Sequence, residues 1–257
     1  MQYTRQEIQE RITIDSMKPE FSDAHCHLNL FPDPSKTIME AVSAGVALMV
    51  TAGGSSKDNA EVLKLASGPN VFGVVGISPD FAAIEAANVA GLEAIIKSNH
   101  NIVGIGEIGL DYKVARTSAD ADVQKEVFIS QLMIANRFGL PVVIHSRGAL
   151  DDTLEILREE CKTRAMLHFF GGDVEQARVA ESRNYLVSIP AQESKKHSRI
   201  MKETRLSSIV LESDSPAACK SPIDVVQWTG KLAALKDISV AEAASATTEN
   251  LRAFFFI

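Results

Sequence analysis

Asp23, His25 and His27 stand two residues apart in the run 21–28, FSDAHCHL. On a strand, side chains at i, i+2 and i+4 share one face, so one carboxylate and two imidazoles would project into one space. Phe21, Ala24, Cys26 and Leu28 suit burial on the same strand. A polar group of this kind is costly to bury unless something pairs with it, and a divalent cation would do so. A lone histidine would more often be hydrogen-bonded in a core. An H-x-H pair after an aspartate, on an otherwise apolar strand, points to metal.

Other apolar runs carry the same residue types. Glu107 lies in IVGIGEIGL with Asp111 just beyond it. His145, Ser146 and Arg147 end PVVIHSR, His168 lies in AMLHFF, and Glu212 and Asp214 lie in IVLESDS. Four imidazoles, one Glu and one Asp exceed the needs of one tetrahedral ion. They fit two ions sharing a carboxylate, a pair that makes water acidic and clamps the attacking and leaving oxygens of an ester. Hydrolysis is the chemistry this implies. Each residue also has a plainer role: Glu212 could pair with a neighbour, Asp111 could serve a turn, Arg147 could balance a carboxylate, and His168 alone could be a core histidine. Asp23 is read as support that orients a histidine, since six ligands already fill a two-ion site. Cys26 alternates away from the histidines and reads as packing. His100 and His197 fall outside the strands and are expected in solvent. The GGSS at 53–56 lacks the phosphate-loop lysine pattern.

These side chains need a frame that gathers them. Eight β-branched apolar runs, at roughly 21–28, 46–53, 71–78, 102–110, 141–147, 165–170, 185–191 and 209–215, alternate with helical patterns such as 122–139, 150–160, 174–183 and 240–255. That alternation predicts βα units and a parallel sheet. With 257 residues, it predicts an α/β fold with a single (β/α)8 TIM barrel over 21–257, although an open doubly wound sheet has the same pattern. Nearly every candidate residue falls at the C-terminal end of its strand, the end that carries barrel active sites. Residues 1–20 read as an N-terminal extension in which Ile8, Ile12 and Ile14 could form a short amphipathic helix.

The formal net charge of −7, from 26 basic and 33 acidic residues, opposes a broad nucleic-acid-binding surface. It leaves room for a small basic pocket. Cys26, Cys161 and Cys219 are scattered, as in a reducing compartment. The N-terminus is too polar for a signal peptide, and no apolar run has membrane-spanning length. A cytoplasmic protein is expected, with no membrane contact and no evident protein partner.

The motifs DAHCHL, GEIGLD, QLMIANRFGLPVVIHSR, LHFFGG, LESDSP and TTENLRAFF resemble, in order, those of the TatD family of metal-dependent deoxyribonucleases in the amidohydrolase-like superfamily. The resemblance runs from about residue 21 to the C-terminus. It implies hydrolysis of phosphodiester bonds in DNA, often as an exonuclease, with two divalent ions drawn from Mg, Mn or Zn. By the same resemblance His25, His27, Glu107 and Asp214 would hold one ion and Glu107, His145 and His168 the other. Asp214 would hold the attacking water and take its proton, so Glu107 and Asp214 are the expected catalytic residues. One motif departs: where the family has G-x-H-P-H, this chain reads Gly76-Ile77-Ser78-Pro79-Asp80. Serine can still donate a hydrogen bond but brings no positive charge. Ser78 and Arg147 are the expected substrate contacts, with Lys113, Lys195 and Lys196 as further candidates. The departure keeps two alternatives open: hydrolysis of a small amide, lactone or phosphoester, and a metal-binding protein without turnover.

Overall fold

The computed structural model describes residues 19–257, so the helix expected around Ile8, Ile12 and Ile14 lies outside the described residues. Eight strands form one sheet: β1 (Phe21–Cys26), β2 (Val46–Ala52), β3 (Val71–Val75), β4 (Ile102–Asp111), β5 (Val142–Arg147), β6 (Ala165–Leu167), β7 (Leu186–Pro190) and β8 (Ile209–Glu212). They run in sequence order and every pair from β1·β2 to β7·β8 is parallel. The seam between β8 and β1 is bridged at the C-terminal mouth, where Asp214 N donates to His25 O at 2.9 Å and His27 N to Ser215 O at 2.8 Å. The result is a nearly closed barrel, as expected.

The helices are α1 (Pro34–Ser43), α2 (Ser56–Leu65), α3 (Ala82–Glu85), α4 (Leu92–Ser98), α5 (Ser118–Phe138), α6 (Leu150–Glu160), α7 (Val174–Ser182), α8 (Lys195–Glu203), α9 (Asp224–Lys236) and α10 (Val240–Phe255). Their ends are written in the sequence. Thr117 and Asp120 form a capping box at the start of α5, and Gly139, left-handed at φ 67°, ends it. A cap of this kind stabilises by about 1 kcal/mol. The boxes Asp173/Gln176 and Ser239/Glu242 start α7 and α10 in the same way.

One apolar cluster takes a residue from every strand: Ala24, Val50, Val74, Val103, Val143, Met166, Leu186 and Val210. Side chains from all eight strands can meet only inside the ring. Leu251, Phe254 and Phe255 of α10 join that cluster, so the last helix stoppers the barrel end opposite the mouth. A second cluster packs the outer strand faces against the helices, with Phe128, Leu132, Leu157 and Leu232 among its buried members.

The strands stop earlier than the apolar runs predict. His27, Ser78, His168 and Asp214 lie just past β1, β3, β6 and β8 rather than in them. The backbone there finds other partners. Asn59 of α2 takes Gly76 N at 3.1 Å and gives to Gly76 O at 2.9 Å. Gln131 of α5 takes Ile77 N at 2.7 Å and gives to Ile77 O at 2.9 Å. Buried backbone groups must be paired, and here helix amides replace the neighbouring strand.

Candidate active site

Glu107, on β4, stands between two pairs of imidazoles. Its Oε2 lies 3.6 Å from His25 Nε2 and 3.8 Å from His27 Nε2. Its Oε1 lies 2.6 Å from His145 Nδ1 and 3.8 Å from His168 Nε2. The two Nε2 atoms of His25 and His27 are 3.3 Å apart, and Asp214 Oδ1 is 3.2 Å from His27 Nε2 and 3.9 Å from His25 Nε2. The structure therefore brings all six expected ligands to one mouth. Two sets have ligand atoms all within 4.8 Å of one another: His25, His27 and Asp214, and His25, Glu107 and His168. The second set holds His25 where His145 was expected. His25 and His168 stack, with ring centroids 3.6 Å apart, whereas the His145 and His168 centroids are 6.2 Å apart.

Three rings have one nitrogen anchored and the other aimed inward. Nδ1 of His27 faces Ala52 O at 3.2 Å. Nδ1 of His168 faces the Glu212 carboxylate at 3.1 Å. Nε2 of His145 faces Asp111 Oδ2 at 3.0 Å. Anchoring of this sort fixes the tautomer of metal-binding histidines and directs the free lone pair. His25 differs, since its buried Nδ1 has no partner among the described residues. The donor set, nitrogen-rich with two carboxylates, fits divalent transition metals.

Glu212 is buried and also accepts from Phe169 N at 2.7 Å and from the Ser188 hydroxyl. It holds His168 as a supporting residue would. Asp23 behaves differently from its expected role. It touches no imidazole; it accepts from Ser213 N at 2.8 Å, Ser213 Oγ at 2.5 Å and His25 N at 3.3 Å. In β1 three residues from Asp23 to Cys26 span two in β2, from Met49 to Thr51. That bulge breaks the alternation that would have put Asp23, His25 and His27 on one face. Asp23 thus ties the His25 backbone to the chain beyond β8.

Arg147 is in register with Asp111 on the adjacent strand. Its Nε donates to Asp111 Oδ2 at 2.7 Å, while 57% of the side chain stays exposed at the cavity. Asp111 does serve the turn after β4, where its Oδ1 accepts from Lys113 N and Val114 N, and it does more. It is the fully buried end of β4 and accepts from His145, Arg147 and Lys113 N (2.8 Å). Sequence reasoning underweighted it, although the β4–β5 register, had it been known, pairs it with Arg147. Ser78 is buried and lines the cavity, and its hydroxyl has no hydrogen-bond partner among the described residues. Lys113, Lys195 and Lys196 do not line the cavity; Lys57 and Arg147 do. Lys196 instead donates to Gly171 O. His100 is exposed, but His197 is half-buried against Phe169 rather than solvated. Cys26 is buried and burial pushes its thiol well up, in keeping with packing.

The ionisation states follow from these contacts. Burial lowers the His25 pKa, with His168 adding to the effect, so His25 stays neutral. For His145 burial opposes the charge, but Asp111 and Glu107 outweigh it and raise the pKa to about 10. For His168 burial again opposes, and Glu212 and Glu107 raise the pKa to about 9. Burial alone would raise Glu107, yet hydrogen bonding from His145 and the charge of His168 hold it well below the usual carboxylate range. Asp214 is lowered against the pull of burial, chiefly by His27.

The cavity over this cluster measures about 1330 Å³. The family described as TatD related DNase matches residues 22–256. The chain belongs to the TatD-related DNase family. Among its relatives, human "Deoxyribonuclease TATDN3" is 30% identical, over 91% of this chain and 93% of that protein. The "Uncharacterized metal-dependent hydrolase YabD" of Bacillus subtilis is 28% identical over 91% and 98%. The crystal structure of YjjV, a TatD homologue from Escherichia coli, superposes with a TM-score of 0.82 at 24% identity, covering 92% of this chain and 98% of that one. As a TatD-related protein this chain is a metal-dependent hydrolase by family. Among its described residues no helix is long and apolar enough to cross a membrane.

Proposed function

We propose that this chain hydrolyses phosphodiester bonds in DNA with two divalent ions, drawn from Mg, Mn or Zn. One observation carries the reading: the two oxygens of Glu107 face different pairs of imidazoles, as a carboxylate shared by two ions would. His25, His27 and Asp214 would hold one ion, His145 and His168 the other. Such ions supply Lewis acidity and a lowered pKa for water. Asp214, ionised and facing the cavity, orients the attacking water and takes its proton. The Arg147 guanidinium, fixed through Nε by Asp111, presents its remaining N–H groups to a phosphate oxygen. The Ser78 hydroxyl donates a further hydrogen bond. The relative named a deoxyribonuclease supports DNA as the substrate. Exonucleolytic action fits a mouth where Asp80, Glu85, Asp151 and Asp152 would repel phosphates of a strand passing straight across. The three free cysteines accord with a reducing, cytoplasmic setting.

The test is nucleotide release from labelled single-stranded DNA with Mg, Mn, Zn or Co. Release with the native chain and its loss in Asp214→Asn are expected; release from neither would overturn the reading. A second reading, hydrolysis of a small amide, lactone or phosphoester, is favoured by Asp80, exposed at the cavity without a partner among the described residues. Turnover of such esters or amides far above DNA would select it.

A further inference from the structure

Phe169 directly follows the site histidine His168, and its backbone is left-handed at φ 44°. A bulky side chain rarely adopts this conformation, and where it does the surrounding structure must enforce it. Here it is enforced from both sides. Phe169 N donates to Glu212 Oε1 at 2.7 Å, and Phe170 N donates to Ser188 O at 3.0 Å. The kink sends the two adjacent phenyl rings in different directions. Phe170 is buried in the outer core, whereas Phe169 is only half-buried and lines the cavity.

The Phe169 ring stands steeply inclined to its two aromatic neighbours. It lies 5.9 Å from the His168 ring at 70° and 6.5 Å from the His197 ring at 79°. Among the described aromatic rings none lies parallel to it. What the kink delivers is a half-exposed phenyl ring in the cavity wall beside His168.

We propose that Phe169 is a stacking subsite for a nucleobase adjoining the scissile phosphate. This rests on the phosphodiesterase reading, because only a nucleotide substrate brings such a ring to the phosphate. A base–aromatic stack tolerates any sequence, since every base has a π-face. It binds the substrate without touching the reacting atoms, so it contributes to KM more than to kcat.

Calorimetric binding to the Mn-loaded protein tests this without turnover. Deoxyadenosine monophosphate should bind about tenfold more tightly than 2-deoxyribose 5-phosphate. Phe169→Ala should remove that preference while leaving sugar-phosphate binding unchanged, and Phe169→Trp should keep it. Unchanged sugar-phosphate binding also shows that the variant is folded. Equal binding of the two ligands by the native protein overturns the subsite, as does an equal loss of both in Phe169→Ala. A base preference in a protein that cleaves no DNA leaves the subsite standing and removes only the DNA reading; DNA cleavage without a base preference does the reverse.

Discussion

Glu107 keeps its charge because cationic and hydrogen-bonding imidazoles outweigh its burial. The same coupling makes His145 and His168 hold protons in the metal-free protein, at pKa values of about 10 and about 9. In the unfolded chain both would titrate near 6.5. Their stabilisation of the metal-free fold is therefore complete below that value and is lost as pH rises through about 9 to 10. Asp23 acts in the same direction, since burial pushes its carboxyl up to about 8. A metal requires these imidazoles neutral, so its binding expels their protons and strengthens with pH. Thermal melts in chelator should show Tm falling from pH 6.5 to 9.5, while the Mn-dependent increment in Tm grows over that range. A chelated protein that gains stability across the range would refute the charge states assigned here. The ligands were legible in the sequence because residue type and strand-end position survive without coordinates. Asp23 and Asp111 were not, because their partners are distant: Ser213 is 190 positions from Asp23 and Arg147 is 36 from Asp111.

The elements place these side chains through amides as much as through ladders. Beyond β3 the chain loses its strand neighbour, and Asn59 and Gln131 take over the backbone of Gly76 and Ile77. Gln124 does the same for Asp111, accepting from its N at 2.9 Å. One face of α5 thus fixes both the loop bearing Ser78 and the residue that orients His145 and Arg147. Gln131→Leu would leave the Ile77 N–H and C=O buried without partners, at a cost on the order of 2–4 kcal/mol. Urea unfolding should show that loss, and KM should rise more than kcat falls because Ser78 loses its anchor; a stability change below about 0.5 kcal/mol would mean that the loop holds itself. Apolar runs revealed all eight strands, since burial on both faces writes a continuous β-branched signature. They overran the strand ends because burial continues where the ladder does not. The amides escaped notice because a glutamine on a helix reads as surface until its partner is known.

At the scale of the whole molecule, part of the net charge of −7 lies at the mouth. The cavity carries Asp58, Asp80, Glu85, Asp151 and Asp152 around its rim against Lys57 and Arg147. Several of these acids are already occupied. Asp58 accepts from Asn29, Glu85 from Ser56, Asp151 from Gln176, and Asp152 from Tyr112 and Lys125. Asp80 has no such partner among the described residues, so nothing holds its carboxylate back from whatever enters, and its charge adds to theirs. It follows Pro79 at the position where the resemblance expects a histidine, so a carboxylate stands where the family pattern has an imidazole. A DNA strand approaching this mouth is repelled beyond the reacting phosphate, and salt should relieve that repulsion as the Debye length falls from roughly 30 Å at 0.01 M to about 8 Å at 0.15 M. Cleavage of single-stranded DNA by the native protein should therefore speed up over that range, the reverse of an enzyme steered by a basic surface. Asp80→Lys should raise kcat/KM on DNA at low salt by about three- to tenfold and reverse the salt slope, with little effect on a neutral ester. Initial rates at a series of KCl concentrations check both. If the native protein already slows with salt and Asp80→Lys changes nothing, the mouth is not gated by charge, and Ser78 and Arg147 alone determine how the phosphate is received.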